Sequence, residues 1–178
     1  QGTAEDRRFL NVTSVQPREC PGRVAFSPMH VFNGPYKAPD GFKYACYEHY
    51  WQSLKHFPRR NHEVDKAWWR AATKPHRKLP KVDPKTCLYA SDETRFPGQV
   101  FDYVEARKAF YVPDYIGTRL SPKFVQDELE NIRDWVTDGY DVVVKDYDGP
   151  RSADPDPNRH GAPLIEEVTV NLLRDKIN

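Results

Sequence analysis

Glu48, Gln52 and Lys55 follow one another at i, i+4 and i+7 within the stretch from Cys46 to Phe57, so on a helix their side chains form one stripe. In the same stretch Tyr47, Tyr50, Trp51 and Leu54 fall at i, i+3, i+4 and i+7, an apolar helix face that Pro58 ends. At 3.6 residues per turn the polar stripe lies about 100° from the centre of that face, on the border of the core, and His49, Ser53 and His56 are expected on the solvent side. A carboxylate, an amide and an ammonium along an aromatic edge supply an acceptor, a two-way hydrogen bonder and a cation, the needs of a cleft wall. The same spacing also suits an ordinary ladder of surface helix pairs.

A second candidate is the pair Asp146 and Asp148, which ends the run Val142-Val143-Val144. Alternation along a strand points both carboxylates to one face, and like charges held close raise one of the two pKa values, leaving one group as acid and the other as base. Asp148-Gly149-Pro150 is equally a turn in which Asp148 bonds its own backbone. The six histidines show neither H-x-x-x-H nor H-E-x-x-H spacing, so no metal site is expected. G-x-G-x-x-G, P-loop and G-x-S-x-G patterns are also absent from the sequence, which leaves dinucleotide-binding Rossmann folds, P-loop NTPases and typical α/β-hydrolases without support, and no cofactor is expected.

The elements that must position these residues are short and punctuated, because 16 prolines interrupt 178 residues. Residues 1–22 are expected to form an extended arm laid over the core, and residues 23–178 one domain of mixed α+β class, mainly helices around a small sheet. Arg23 to Ser27 suits a short strand stopped by Pro28. Asn61 can cap a second helix that runs through Trp68, Trp69 and Ala72 to a stop at Pro75. A third, largely buried helix is predicted from about Gln99 to Tyr111 and broken by Pro113, and a fourth from about Ser121 to Val136 with Phe124, Leu129, Ile132 and Trp135 turned to the core. Asp141 to Tyr147 reads as a strand, and Pro163 to Lys176 as a final amphipathic helix.

The chain carries 27 Lys+Arg against 26 Asp+Glu, a balance that argues against a dedicated nucleic-acid binder. The distribution is less even: Leu54 to Lys81 holds nine Lys/Arg and two acids, whereas Gln126 to Asp156 holds ten acids and three bases. Two such stretches can be solvated faces, or the basic one, with Arg59, Arg60 and Lys74, can draw in phosphates while the acidic one supplies carboxylates. Tyr36, Tyr44, Trp51, Trp68 and Trp69 lie near the basic stretch, a combination that suits either core packing or stacking on a base beside a held phosphate. No apolar run approaches the roughly 20 residues that span a bilayer, so no membrane partner is expected. The three cysteines, Cys20, Cys46 and Cys87, form no framework, which favours a reducing compartment and a cytoplasmic location.

Gly41-x-x-Tyr44-x-x-x-Glu48-His49-Tyr50-x-Gln52-x-x-Lys55 resembles the signature G-x-x-Y-x-x-x-E-H-Y-x-Q-x-x-K of the NADAR proteins. Val24 to Ser27 and the Phe32-Asn33 turn sit where that family has its first strand and loop. Phe101-Asp102 and Arg107-Lys108-x-Phe110 fall at its Trp-Asp/Glu and Lys-Phe pairs, and Gly139 to Val144 is similar to its T-G-x-x-x-L-V-E strand. Lys145 stands where the family has the Glu of that strand, Asp146 follows it, and the terminal W-G and G-x-N-x-L-G motifs are not found, the pattern of a divergent member.

The resemblance implies an N-glycosidase that cleaves a ribosyl C1'–N bond of a nucleotide-like or ADP-ribose-bearing substrate. Glu48 is carried over as the acidic residue and Lys55 as its cationic neighbour. Asp146 or Asp148 would complete the carboxylate pair, and Asn33, Tyr44, Trp51, Gln52, Lys55 and Phe101 would line the substrate. The alternative is a non-catalytic module that binds a nucleotide or nucleic acid on the same scaffold.

Overall fold

The computed structural model describes residues 6–11, 25–30, 35–120 and 123–145. Asn33, Asp146, Asp148 and the predicted helix from Pro163 to Lys176 lie outside the described residues. The chain is a mixed α+β protein whose described strands form two-stranded sheets. It divides into two units, one joining Gln1–Ser27 to Asp114–Asn178 and the other spanning Pro28–Pro113. Among the described residues no helix is long and apolar enough to cross a membrane.

In the first unit, β1 (Arg7–Asn11), inside the segment expected as an arm, pairs in parallel with the last described strand, Asp141–Lys145, with Phe9 opposite Val143. The β-branched run at Val142 to Val144 suits that pleated position. The helix Lys123–Thr137 presents Val125, Leu129 and Ile132 to Leu10, Ala25 and Phe26, with Trp135 packed at the border. Asp138 and Gly139 end it, Gly139 taking a left-handed φ of 86° that costs glycine nothing. Ala25 and Phe26 are helical rather than extended. Phe26 is fixed by that core and by the Tyr115 hydroxyl, which donates to its carbonyl oxygen; tertiary contacts of this kind outweigh the local strand pattern.

In the second unit, β2 (Tyr36–Lys37) and β3 (Lys43–Tyr44) form a small antiparallel ladder. α1 (Tyr47–Ser53) follows, and the chain then extends as β4 (Lys55–His56), antiparallel to β5 (Tyr89–Ala90). α2 (His62–Ala71) begins where its cap predicts, the Asn61 side chain accepting from the Glu63 and Val64 amides at 3.0 and 3.2 Å.

The third helix starts later than the apolar pattern suggested. Asp102 and Glu105 close a reciprocal capping box at the N-terminus of α3 (Tyr103–Ala106). It also does not stop at Pro113. A π-helical segment, Arg107–Tyr111, leads into α4 (Val112–Leu120), and the unit boundary falls there. The Val112 amide donates to the Arg107 carbonyl, five residues back. The wider turn accommodates the ring and missing N–H of a proline that a regular α-helix would exclude.

Candidate functional site

α1 is seven residues long and nearly all of it is buried: Tyr47, His49, Tyr50, Trp51 and Ser53 are each at most 1 % exposed. His49 and Ser53 are therefore in the interior, not on a solvent face, because α2 and the loop after it cover them. The His49 ring lies 5.0 Å from that of Trp69, and its Nε2 accepts the His76 amide at 2.9 Å. The bond leaves the proton on Nδ1, and burial, with the nearby His76 charge, drives the His49 pKa down to about 4. His56 is half-buried, its Nε2 2.7 Å from Ser91 Oγ and its ring 3.5 Å from that of His62.

The helix also ends earlier than predicted. The Leu54 carbonyl accepts the Ser91 amide at 3.0 Å and the His56 carbonyl accepts the Leu88 amide at 2.8 Å, so residues 88–91 capture the backbone that would have made the next helical turn. Lys55 is thus a strand residue. The three predicted site residues nevertheless converge. Gln52 Nε2 donates to Glu48 Oε1 at 2.7 Å, and Lys55, 7 % exposed, carries its Nζ to 5.0 Å from the Trp51 ring centroid and 5.4 Å from that of Tyr103.

A fourth side chain completes the arrangement. The Arg107 guanidinium carbon stands 4.5, 4.9 and 5.5 Å from the ring centroids of Tyr111, Tyr103 and Trp51. Lys55 and Arg107 therefore share two aromatic faces, an arrangement that holds cations away from water. Burial raises the Glu48 pKa, opposed by the Gln52 hydrogen bond and by the charges of Lys55, Arg107 and Arg77. Burial lowers the Lys55 pKa to about 8, with Glu48 pulling the other way and Arg107 adding to the fall. A carboxyl group pushed up and an amine pushed down, side by side, form the kind of perturbed pair that marks a candidate acid and base. Glu48 and Gln52 are half-buried and Tyr103 is exposed, so the buried cations lie beneath groups that reach solvent.

Sequence reasoning named Glu48, Gln52, Lys55 and Trp51 but passed over Arg107 as a site residue. The signal was Tyr103, Arg107 and Tyr111 at i, i+4 and i+8, which places a cation between two rings on one helix face. Trp51 is a buried wall, with Tyr111 at 5.0 Å and Phe110 at 5.9 Å, and its face is taken by the two cations. Tyr44 stands elsewhere. It is 1 % exposed, its hydroxyl donates to Asp40 at 2.7 Å and accepts from Ser53 and Arg70, and burial pushes its pKa up to about 12. Phe101 packs between Phe96 and Phe110 and bridges to Ala90.

Of the cations expected to attract phosphate, Arg60 is held by Asp65, its Nε donating at 2.9 and 3.0 Å. Arg59 is exposed. Lys74 lines a groove of about 290 Å³ with Trp68, Thr73 and His76. Among the described residues no three His, Cys, Asp or Glu side chains converge to hold a metal ion. No family model, curated protein or solved structure matches the chain.

Proposed function

We propose that the chain is a hydrolase of the N-glycosidase type, cleaving the ribosyl C1'–N bond of a nucleotide-like or ADP-ribose-bearing substrate in the cytoplasm. The observation that carries this reading is Glu48, oriented by Gln52 at 2.7 Å and perturbed by burial beside Lys55 and Arg107. The NADAR-like spacing of Glu48, Gln52 and Lys55 adds to it, and three cysteines spaced without a disulfide framework suit a reducing compartment.

In this mechanism the C1'–N bond breaks with its electron pair going to the leaving nitrogen, and the ribose gains oxocarbenium character. Glu48, as the carboxylate, stabilises that charge and takes a proton from the water that attacks C1'. The leaving nitrogen needs a second acid. Asp146 and Asp148, the carboxylates expected in that role, lie outside the described residues. Positioned acids and bases of this kind contribute about 10²- to 10⁴-fold each.

Mass-spectrometric hydrolysis assays of wild type beside Glu48→Gln, over ADP-ribosyl adducts, nucleotides, NAD⁺ and ribosylated pyrimidines, test the reading. Release of a ribosyl product by wild type alone supports it. Equal turnover by a folded Glu48→Gln protein removes Glu48 from the mechanism. One observation favours a second reading, a non-catalytic nucleotide or nucleic-acid binding module: Trp68 and Lys74 share a groove, and among the described residues no acid pairs with Lys74, Lys78 or Lys81. Binding without turnover, lost steeply with salt, would select it.

A further inference from the structure

The charges gathered around Trp51 and Tyr103 do not balance. Lys55 and Arg107 are each 7 % exposed, and the carboxylate whose charge acts on both is Glu48. Glu48 already spends one oxygen on Gln52. Arg107 is the more demanding group. Its Nε and Nη1 are buried and have no hydrogen-bond partner among the described residues, although a guanidinium carries five donors and does not shed its proton. A buried donor left unmade costs about 1–3 kcal/mol, more when charged. Three rings surround the guanidinium and the Tyr103 hydroxyl bonds it, which leaves Nε and Nη1 unsatisfied.

The backbone adds an independent sign. Arg107 opens the π-helical segment Arg107–Tyr111, an irregularity found frequently at functional sites. The Arg107 amide bonds the Tyr103 carbonyl in a regular turn, and that spacing sets Arg107 beside the Tyr103 ring, which Lys55 also approaches.

We propose that Arg107 and Lys55 form an oxyanion subsite that takes a phosphoryl group of the ligand, with the unpartnered Nε and Nη1 donors of Arg107 offered to phosphoryl oxygens and Lys55 supplying the second positive charge. Guanidinium donors make charge-assisted hydrogen bonds to phosphoryl oxygens, and the ammonium acts as a point charge beside them. A dianion there reverses the local excess of positive charge. The subsite deepens the reading of the Glu48 site as a ligand site, but it concerns binding and is independent of bond cleavage.

Calorimetric titration of the full chain with inorganic pyrophosphate, ribose 5-phosphate and ribose tests it without turnover. The expected result is saturable binding of the two phosphorylated probes, none of ribose, and about a ten- to hundredfold loss of affinity in Arg107→Met, the range that charged hydrogen bonds give. Met fills the ring cage without donating. A wild-type measurement guards against a variant that fails to fold: the Arg107 Nε–Hε resonance, assigned through its own side-chain correlations, should move on adding pyrophosphate. An unmoved resonance at saturating pyrophosphate, or unchanged affinity in a folded Arg107→Met protein, overturns the subsite. Phosphate binding with no hydrolysis of any substrate would retain the subsite and reject the glycosidase.

Discussion

Replacing Lys55 by Met should make the wild-type protein look better adapted to alkaline pH than its variant. Lys55 is 7 % exposed and burial lowers its pKa from 10.5 to about 8. At 1.36 kcal/mol per unit, holding the charged ammonium in the folded state at neutral pH costs about 3 kcal/mol relative to the unfolded chain. A folded-state value below the unfolded one gives stability that is complete above the unfolded pKa and lost as pH falls through the folded one, so the window runs from about 10.5 down to 8. Integrated from pH 7 to pH 9.5, wild type should recover about 2 kcal/mol that Lys55→Met, with no proton to lose, does not. Urea unfolding of both proteins at half-unit pH steps, followed by tryptophan fluorescence, reads the difference directly. Other titrating groups are common to the two chains and cancel to first order. Stability profiles that run parallel within about 0.5 kcal/mol across this range, the scatter of neutral substitutions, would refute the claim that Lys55 is held as a buried cation. The same variant should be inactive, since it keeps the aromatic wall and deletes the charge.

Two further outcomes test the frame around the site. His49, with its folded pKa near 4, should lose stability as pH falls below about 6.5. The loss between pH 7 and pH 5 is about 2 kcal/mol, and His49→Gln, which can still accept the His76 amide, should lack it in urea titrations; an equal slope in both proteins would place the acid sensitivity elsewhere. Asn61→Ala removes the acceptor that caps α2 at the Glu63 and Val64 amides and should lower stability by about 1 kcal/mol, seen as a reduced urea midpoint with an unchanged slope.

Some of the fold was legible because the deciding information is local. A side-chain cap such as Asn61, an apolar period such as Leu129, Ile132 and Trp135, and a β-branched run such as Val142 to Val144 each fix an element from its own residues. The failures have a different cause. A helical wheel with one apolar face puts His49 and Ser53 in solvent, whereas α1 is covered on its other side by α2 and the loop that carries His76. Ala25 and Phe26 took a helical conformation under a core drawn from Leu10 and the Lys123–Thr137 helix. Pairing partners of this kind are distant in sequence, and no window of a dozen residues contains them.

The two largest departures from local expectation meet at one place. Helical periodicity should have carried α1 through Lys55, but the backbone of residues 54–56 is captured by residues 88–91. Pro113 should have ended the next helix, but a π segment carries the chain past it. Lys55 follows the first departure and Arg107 opens the second, and both cations lie near the rings of Trp51 and Tyr103. Both cations are buried, which costs stability rather than adding it. Sequences agree with themselves locally except where a site requires otherwise. Two buried cations beside the carboxylate of Glu48 are such a local cost, and they set this cluster apart from the aromatic core it borders.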